Sequence, residues 1–201
     1  MKFLPFFFQY LVNPRTVGAI LPSSRFLGNK MVEEINFMKA NYIIEYGPGT
    51  GVFTEKLLQL RKPETIVLLV EFNKDFYFML KEKFKGEKNL VIINGSAENI
   101  QQYVIDYDIP YVDYVVSGLP FASLPKQVTN NILFNTTRIL KKDGQFITFQ
   151  YTKFKKPFIE QFFNKINEKR EFRNFPPAYV FSCALSEKKG EEHHGIPNSY
   201  C

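Results

Sequence analysis

Residues 43–51 read Ile43-Ile44-Glu45-Tyr46-Gly47-Pro48-Gly49-Thr50-Gly51, an apolar strand that runs into an acid and then into glycine at every second position. Such a strand-to-loop turn is built to bind a nucleotide, because glycine leaves no Cβ between the backbone and a ligand. Glu45 stands at the end of the strand, where it can receive a ligand ammonium. A second acid, Glu71, ends the next apolar run, residues 66–70, twenty residues beyond Gly51. In a doubly wound sheet that position accepts hydrogen bonds from ribose hydroxyls. Phe72 beside it is assigned to the same cofactor.

The glycine spacing narrows the ligand. A dinucleotide fingerprint, Gly-x-Gly-x-x-Gly, would require glycine where Val52 or Thr54 stands. A phosphate loop would require Gly-Lys-Ser/Thr, which does not follow, and Glu45 would repel a triphosphate. A ligand with an amino-acid end and a ribose but no phosphate fits. The pattern resembles the first motif of class I S-adenosylmethionine-dependent methyltransferases, which implies S-adenosylmethionine as cofactor, S-adenosylhomocysteine as product, and Glu45, Gly47, Gly49, Gly51, Glu71 and Phe72 as contacts.

Outward from this turn, strands and helices alternate. Strands are expected at 42–46, 66–70, 90–93, 111–116, 145–151 and 179–185, with helices at 25–39, 52–60, 74–83, 126–140 and 157–165 and a helical turn near 97–103. Lys141-Lys142-Asp143-Gly144 closes the 126–140 helix with basic residues that complement its dipole. The alternation predicts an α/β fold with a parallel sheet covered on both faces. The resemblance makes it a Rossmann-like, mostly parallel sheet of seven strands.

A chain of 201 residues suits one domain with a substantial core. We divide it into an amphipathic amino-terminal helix and loop (1–24), a cofactor-binding domain (25–186) and a polar tail (187–201). The net charge of +6 points to anionic partners, nucleic acid or lipid. Lys2, Arg15, Arg25 and Lys30 all precede the first acid, Glu33, and a second basic cluster comprises Lys153, Lys155, Lys156, Lys165, Lys169, Arg170 and Arg173. Phe3, Phe6, Phe7, Tyr10 and Leu11 share one face of a short helix, either a membrane anchor or a cap on the core. This stretch lacks the cleavage site of a secretory signal, and no apolar run reaches the eighteen or so residues that span a bilayer. Cys183 and Cys201 have no metal-ligand spacing and read as free thiols of a reducing compartment. Glu191-Glu192-His193-His194 lies in the tail and is read as solvent-exposed, so no metal site is assigned.

Two further loops follow strand ends. After the third strand comes Asn94-Gly95-Ser96-Ala97-Glu98. In class I methyltransferases this loop contacts adenine, which implies Ser96 and Ala97, with Ser96 where aspartate is common and Glu98 as a substitute. After the fourth comes Ser117-Gly118-Leu119-Pro120-Phe121. Adenine dimethylating enzymes of ribosomal RNA carry Asn-Leu-Pro-Tyr at this point, an acceptor loop whose oxygens orient an amine and whose aromatic excludes water. Here the proline and aromatic are kept and the asparagine is absent.

Together with Leu21-Pro22-Ser23-Ser24-Arg25-Phe26-Leu27 and Asn174-Phe175-Pro176-Pro177-Ala178-Tyr179-Val180, these segments resemble the bacterial soluble phospholipid N-methyltransferases. The resemblance covers residues 17–181. It implies methylation of phosphatidylethanolamine or its methylated derivatives, at an anionic membrane surface, by a cytoplasmic, peripherally attached enzyme. Ser117, Leu119, Pro120 and Phe121 are then catalytic-loop residues, with Ser117 also at the cofactor. Tyr151 faces the amine or is a sheet-end aromatic of the core. Ser23 and Ser24 touch the cofactor carboxylate, cap the following helix, or do both. The alternatives are an RNA adenine N6-methyltransferase, normally with an additional substrate-binding domain, and a cofactor-binding protein without catalysis.

Overall fold

Strands β1 (Tyr42–Tyr46), β2 (Ile66–Glu71), β3 (Leu90–Asn94), β4 (Val112–Ser117) and β5 (Leu140–Gln150) lie parallel in a seven-stranded sheet of order β3-β2-β1-β4-β5-β7-β6. β7 (Ala178–Ala184) is inserted antiparallel between β5 and β6 (Lys165–Glu171). The computed structural model describes residues 25–154 and 156–185. The expected amino-terminal helix, Ser23, Ser24, Lys155 and the 187–201 tail lie outside them.

The inner strands are apolar on both faces because both faces are covered. Ile44, Tyr46, Leu68, Val70, Val115 and Phe146 meet α4 (Ile100–Asp106) and α5 (Lys126–Ile139) on one side. Ile43, Val67, Leu69, Val116, Ile147 and Phe149 meet α1 (Arg25–Val32) and α2 (Val52–Leu60) on the other. A helix α3 (Lys74–Lys83) packs against β2 and β3, capped at its start by the Asn73 side chain, which accepts from the Asp75 and Phe76 amides. At the amino ends of the strands, buried Asp113 on β4 accepts from the Asn41 and Tyr42 amides (2.7 and 2.9 Å) and from Lys141 Nζ (2.7 Å), tying β1, β4 and β5 together.

Four expectations about elements need correction. The first helix ends at Val32 rather than at residue 39. Glu33 and Glu34 oppose the helix dipole at its carboxyl end and instead pair with Lys169 on β6. Lys141 to Gly144 do not close a helix: they bulge within β5, whose pairing with β4 jumps from Val112↔Leu140 to Tyr114↔Gln145. Only glycine fits at 144, since a Cβ there would lie 2.9 to 3.1 Å from three carbonyl oxygens. The helix expected over 157–165 is a single turn, α6 (Lys156–Ile159). Lys165 opens β6, the seventh strand, which the hydrophobic pattern did not locate because an edge strand carries charges on its open side.

Candidate active site

At the carboxyl end of β1 the chain turns through Gly47 and Gly49, both at positive φ (62° and 56°), where side chains with a Cβ are strained. The space into which a Gly49 side chain would point is open to 4 Å, a cradle over which a ligand can lie on the backbone. Beneath it Glu45 is fully buried. One of its oxygens accepts from Thr54 Oγ1 on α2 (2.7 Å), and the other, Oε1, has no hydrogen-bond partner. A buried oxygen without a partner is costly and points to a missing donor. Burial pushes the Glu45 carboxyl up to about 8; the Thr54 bond opposes this and the nearby Glu71 charge adds to it. An ammonium, such as that of the cofactor's amino-acid end, would satisfy both the orphaned oxygen and the charge.

Glu71, ending β2, is also buried, and burial raises its pKa against the bonds it accepts from the Asn73, Gly49 and Phe72 amides. Its two oxygens take Gly49 N (2.9 Å) and Asn73 N (2.8 Å), so the carboxylate that would meet the ribose also holds the glycine turn in shape. Phe72 follows it on the rim and is 72% exposed. Asn94, which the motifs did not single out, joins the exits of β3 and β2 by donating to the Glu71 and Phe72 carbonyls (2.9 and 3.2 Å).

The Ser96 hydroxyl caps the short 3-10 turn Ala97–Asn99 by accepting from the Glu98 amide (3.2 Å), and Ala97 is buried in the core, so this loop offers a ligand mainly its backbone. Glu98 has its carboxylate already engaged by the protein. Its oxygens are held by Ser96 (3.2 Å) and by Asn131 of α5 (2.8 Å), with Asn135 donating to its carbonyl.

Across the cleft, Ser117 sits opposite Tyr46 in the β1–β4 register. It is fully buried, and its Oγ accepts from the Leu119 amide (3.2 Å), so the hydroxyl folds the loop back on itself. Thr148 Oγ1 and Gln150 Nε2 of β5 support the loop from below by donating to the Ser117 and Leu119 carbonyls, each at 3.4 Å. The Leu119 carbonyl also accepts from the Phe121 amide (3.0 Å), which tightens the turn. Gly118 locks the two halves together: its amide donates to Tyr46 O (2.8 Å), and a Cβ at 118 would stand 2.6 Å from Gly47 O. Leu119 reaches over the glycine turn, 2.8 Å from where a Gly47 Cβ would be.

Two catalytic-loop assignments change. Phe121 is not an aromatic wall: its ring is wholly in the core, edge-on to Phe146 (6.0 Å), which stacks on Phe163 (5.3 Å). Pro120 is buried as well, leaving Leu119 as the apolar side chain of the loop that reaches the glycine turn. Tyr151 packs edge-on to Phe149 (5.5 Å), and burial raises its phenol pKa against the bond it makes with Asn174, so it stays protonated near neutrality. Thr148 and Gln150 were missed. Polar side chains alternating with the apolar Ile147 and Phe149 were the available signal. Much of the second basic cluster is internally paired: Lys153 and Lys156 with Glu168, Lys169 with Glu33 and Glu34, and Arg173 with Glu171 through both carboxylate oxygens. Among the described residues no group of three or more His, Cys, Asp and Glu is arranged to hold a metal ion.

The sheet order, the glycine turn over a buried acid and the second acid at the end of β2 define a class I S-adenosylmethionine-dependent methyltransferase. Within that class the chain belongs to the ribosomal RNA adenine dimethylase family, whose profile it matches over residues 6–173. It is similar to an ornithine lipid N-methyltransferase of Singulisphaera acidiphila, 28% identical over 90% of this chain and 95% of that one. It also matches a ribosomal RNA small subunit methyltransferase A of a Sulfurihydrogenibium species, 35% identical over 46% of this chain and 34% of that protein. The precorrin-6y C5,15-methyltransferase of Geobacter metallireducens shares the fold, with a TM-score of 0.62 and 14% identity over 79% of this chain and 88% of that one.

Proposed function

We propose that the protein methylates the amine of a membrane lipid, phosphatidylethanolamine or its mono- and dimethyl derivatives, at the cytoplasmic membrane surface. The observation that carries this reading is the closed Ser117 loop. With no asparagine present, the loop offers an acceptor amine no side-chain amide, only the Ser117 hydroxyl, which accepts from the Leu119 amide, and main-chain atoms. Adenine, whose exocyclic lone pair is conjugated into the ring, needs firm side-chain alignment before it can attack. An alkyl amine has a localised lone pair and needs only its N–H groups held. The similarity to a lipid N-methyltransferase over nearly the full length supports the same reading, and an ornithine lipid presents an alkyl amine too.

Bound S-adenosylmethionine supplies an electrophilic methyl group on a sulfonium. Glu45 would hold its ammonium, Glu71 its ribose, and Phe72 would cover its purine. The acceptor arrives as an ammonium with a pKa of roughly 10 and must lose a proton before attack. Desolvation in the cleft lowers that pKa, while polar atoms of the 117–121 loop orient the remaining N–H groups. Neither the engaged Ser117 hydroxyl nor the protonated Tyr151 phenol is a ready base, so the proton leaves through water. The aromatic face of Phe3, Phe6, Phe7, Tyr10 and Leu11 supports attachment to the bilayer.

A ribosomal RNA adenine acceptor is the second reading, favoured by the family match and by the Leu-Pro-aromatic order of the loop. Incubation with methyl-labelled cofactor and separate pools of phosphatidylethanolamine, ornithine lipid and ribosomal RNA separates them. Label is expected in the aminolipid. Label in RNA with both lipid pools blank would replace this reading with the adenine one.

A further inference from the structure

Two loops leave the sheet on the same side as the cleft. One follows β5, and the other joins β6 to β7, as the pairs Gln150↔Tyr179 and Glu171↔Ala178 require. On them stand three of the most exposed large apolar side chains among the described residues: Phe154 (80%), Phe172 (67%) and Phe175 (80%). They share one surface. The Tyr179 ring lies under both the Lys153 ammonium (4.9 Å) and the Arg170 guanidinium (5.1 Å), and Arg170 also covers the Phe172 ring (4.5 Å). Further along, Arg173 covers Phe26 (4.3 Å), the second described residue, so the band runs up to the point where the Phe-rich amino-terminal segment joins.

Rings this exposed, interleaved with cations, are held in water at a cost of apolar hydration that a partner would relieve. Charge selects the partner. Residues 151–177 carry seven Lys and Arg against three Glu, an excess of +4 out of the whole chain's +6. Counting Glu33 and Glu34, which pair with Lys169, the face carries seven cations against five acids and keeps an excess of +2. Apolar anchors beside a basic excess are the two signals that together attach a protein to an anionic bilayer.

We propose that Phe154, Phe172 and Phe175, with Lys153 and Arg170, form a bilayer-docking face that seats the cleft on an anionic membrane so that a headgroup amine reaches the Ser117 loop. This rests on the aminolipid reading above for its purpose, though not for its test. The rings enter the headgroup region, the cations meet lipid phosphates, and Gln150, which braces the Leu119 carbonyl, lies one residue before the loop that touches the membrane.

The chain contains no tryptophan, so Phe154→Trp, Phe172→Trp and Phe175→Trp each install a single reporter. Phe134→Trp, on the outer surface of α5 and 52% exposed, is the control. With vesicles of equal parts phosphatidylethanolamine and phosphatidylglycerol carrying brominated acyl chains, each rim tryptophan is expected to shift to the blue and lose about half its emission, while position 134 stays unchanged. The double variant Phe154→Ser/Phe172→Ser, in an otherwise intact chain, should lose about tenfold in vesicle partitioning while keeping its cofactor affinity. Four results would overturn the proposal. They are rim emission unaltered by vesicles, equal response at 134, emission already blue in buffer because the amino-terminal segment covers the rim, and quenching by RNA in place of vesicles. Insertion of the rim without methyl transfer to any lipid would sink the function proposed above and leave the docking face standing. Transfer to lipid without insertion would do the reverse.

Discussion

Replacing Glu45 by glutamine tests the cofactor site at its most unusual atom. In the ligand-free protein the Glu45 carboxyl is pushed up to about 8 from the usual 4.5, chiefly by burial. A folded-state pKa raised above the unfolded value means that the native state holds the proton more tightly. The resulting stability is complete below about pH 4.5 and is lost as pH rises through 8, a total on the order of 5 kcal/mol. Glutamine mimics the protonated acid, so the ligand-free Glu45→Gln variant should be more stable than the parent at pH 8 and should lack this pH dependence. Binding should move the other way. The orphaned Oε1 awaits an ammonium, and a charge-assisted bond is worth roughly 1.5 to 3 kcal/mol, so the variant should bind S-adenosylmethionine about 10- to 150-fold more weakly. Protons provide an independent readout. At pH 7 Glu45 is about nine-tenths protonated and must ionise on binding, while the cofactor amine, with a pKa near 7.8, takes up about 0.1 proton. Net release is then about 0.8 proton at pH 7 and close to none at pH 8. Calorimetry in phosphate and in Tris measures this directly from the difference in heats. Equal heats in the two buffers at pH 7, or undiminished affinity of the variant, would refute the assignment of Glu45 to the ammonium.

Glu71→Ala strands the Gly49 and Asn73 amides as well as the ribose, so calorimetry should show affinity lower by roughly 2 to 3 kcal/mol, and urea unfolding a stability loss of about 1 to 3 kcal/mol. Gly118→Ala forces a Cβ to within 2.6 Å of Gly47 O; initial rates should fall at least about tenfold while the melting curve stays cooperative, and a variant with parental kcat would show that the two loops move freely. Asp113→Ala strands the Asn41 and Tyr42 amides at the opposite end of the sheet and leaves Lys141 with Asp143 alone, costing about 1 to 3 kcal/mol per stranded amide by urea titration with cofactor affinity unchanged.

The cofactor half was legible because its residues are chemically distinctive where they fall. An acid at a strand end followed by alternating glycines has few structural uses, and Glu71 sits where the second strand must end. The acceptor half was less legible. Pro120 fixes a turn, but which of Leu119 and Phe121 faces the cleft depends on the direction in which the loop leaves β4, and that is set by the contact of Gly118 with Gly47, a meeting between residues 71 positions apart. Thr148 and Gln150 act through carbonyls of another strand, a pairing that no local pattern reveals. β6 escaped because its sequence, Lys-Ile-Asn-Glu-Lys-Arg-Glu, buries only one side against β7 and draws its order from partners far away, Glu33 and Glu34 among them. Basic residues that read as a free anionic-ligand patch turned out to be largely paired, because carboxylates distant in sequence converge on them.

The joint at Gly118 divides the gene as well as the cleft. Residues 42–94 contain every acid and glycine assigned to the cofactor, whereas the proposed acceptor loop, its β5 supports and the aromatic rim all come from residues 112–184. Recombination at Gly95 would therefore graft a new substrate preference onto an inherited methyl-donor site in a single event, since Glu98 and its ties to Asn131 and Asn135 travel with the incoming half. Two positions constrain such grafts: the donor must bring a glycine to meet the Gly47 peptide and an acid to meet the Asn41 and Tyr42 amides. A chimera made with the ornithine lipid relative, scored by donor affinity and by the lipid that it labels, would reveal whether methyl acceptors in this family diversify by exchange of halves or by drift within one loop.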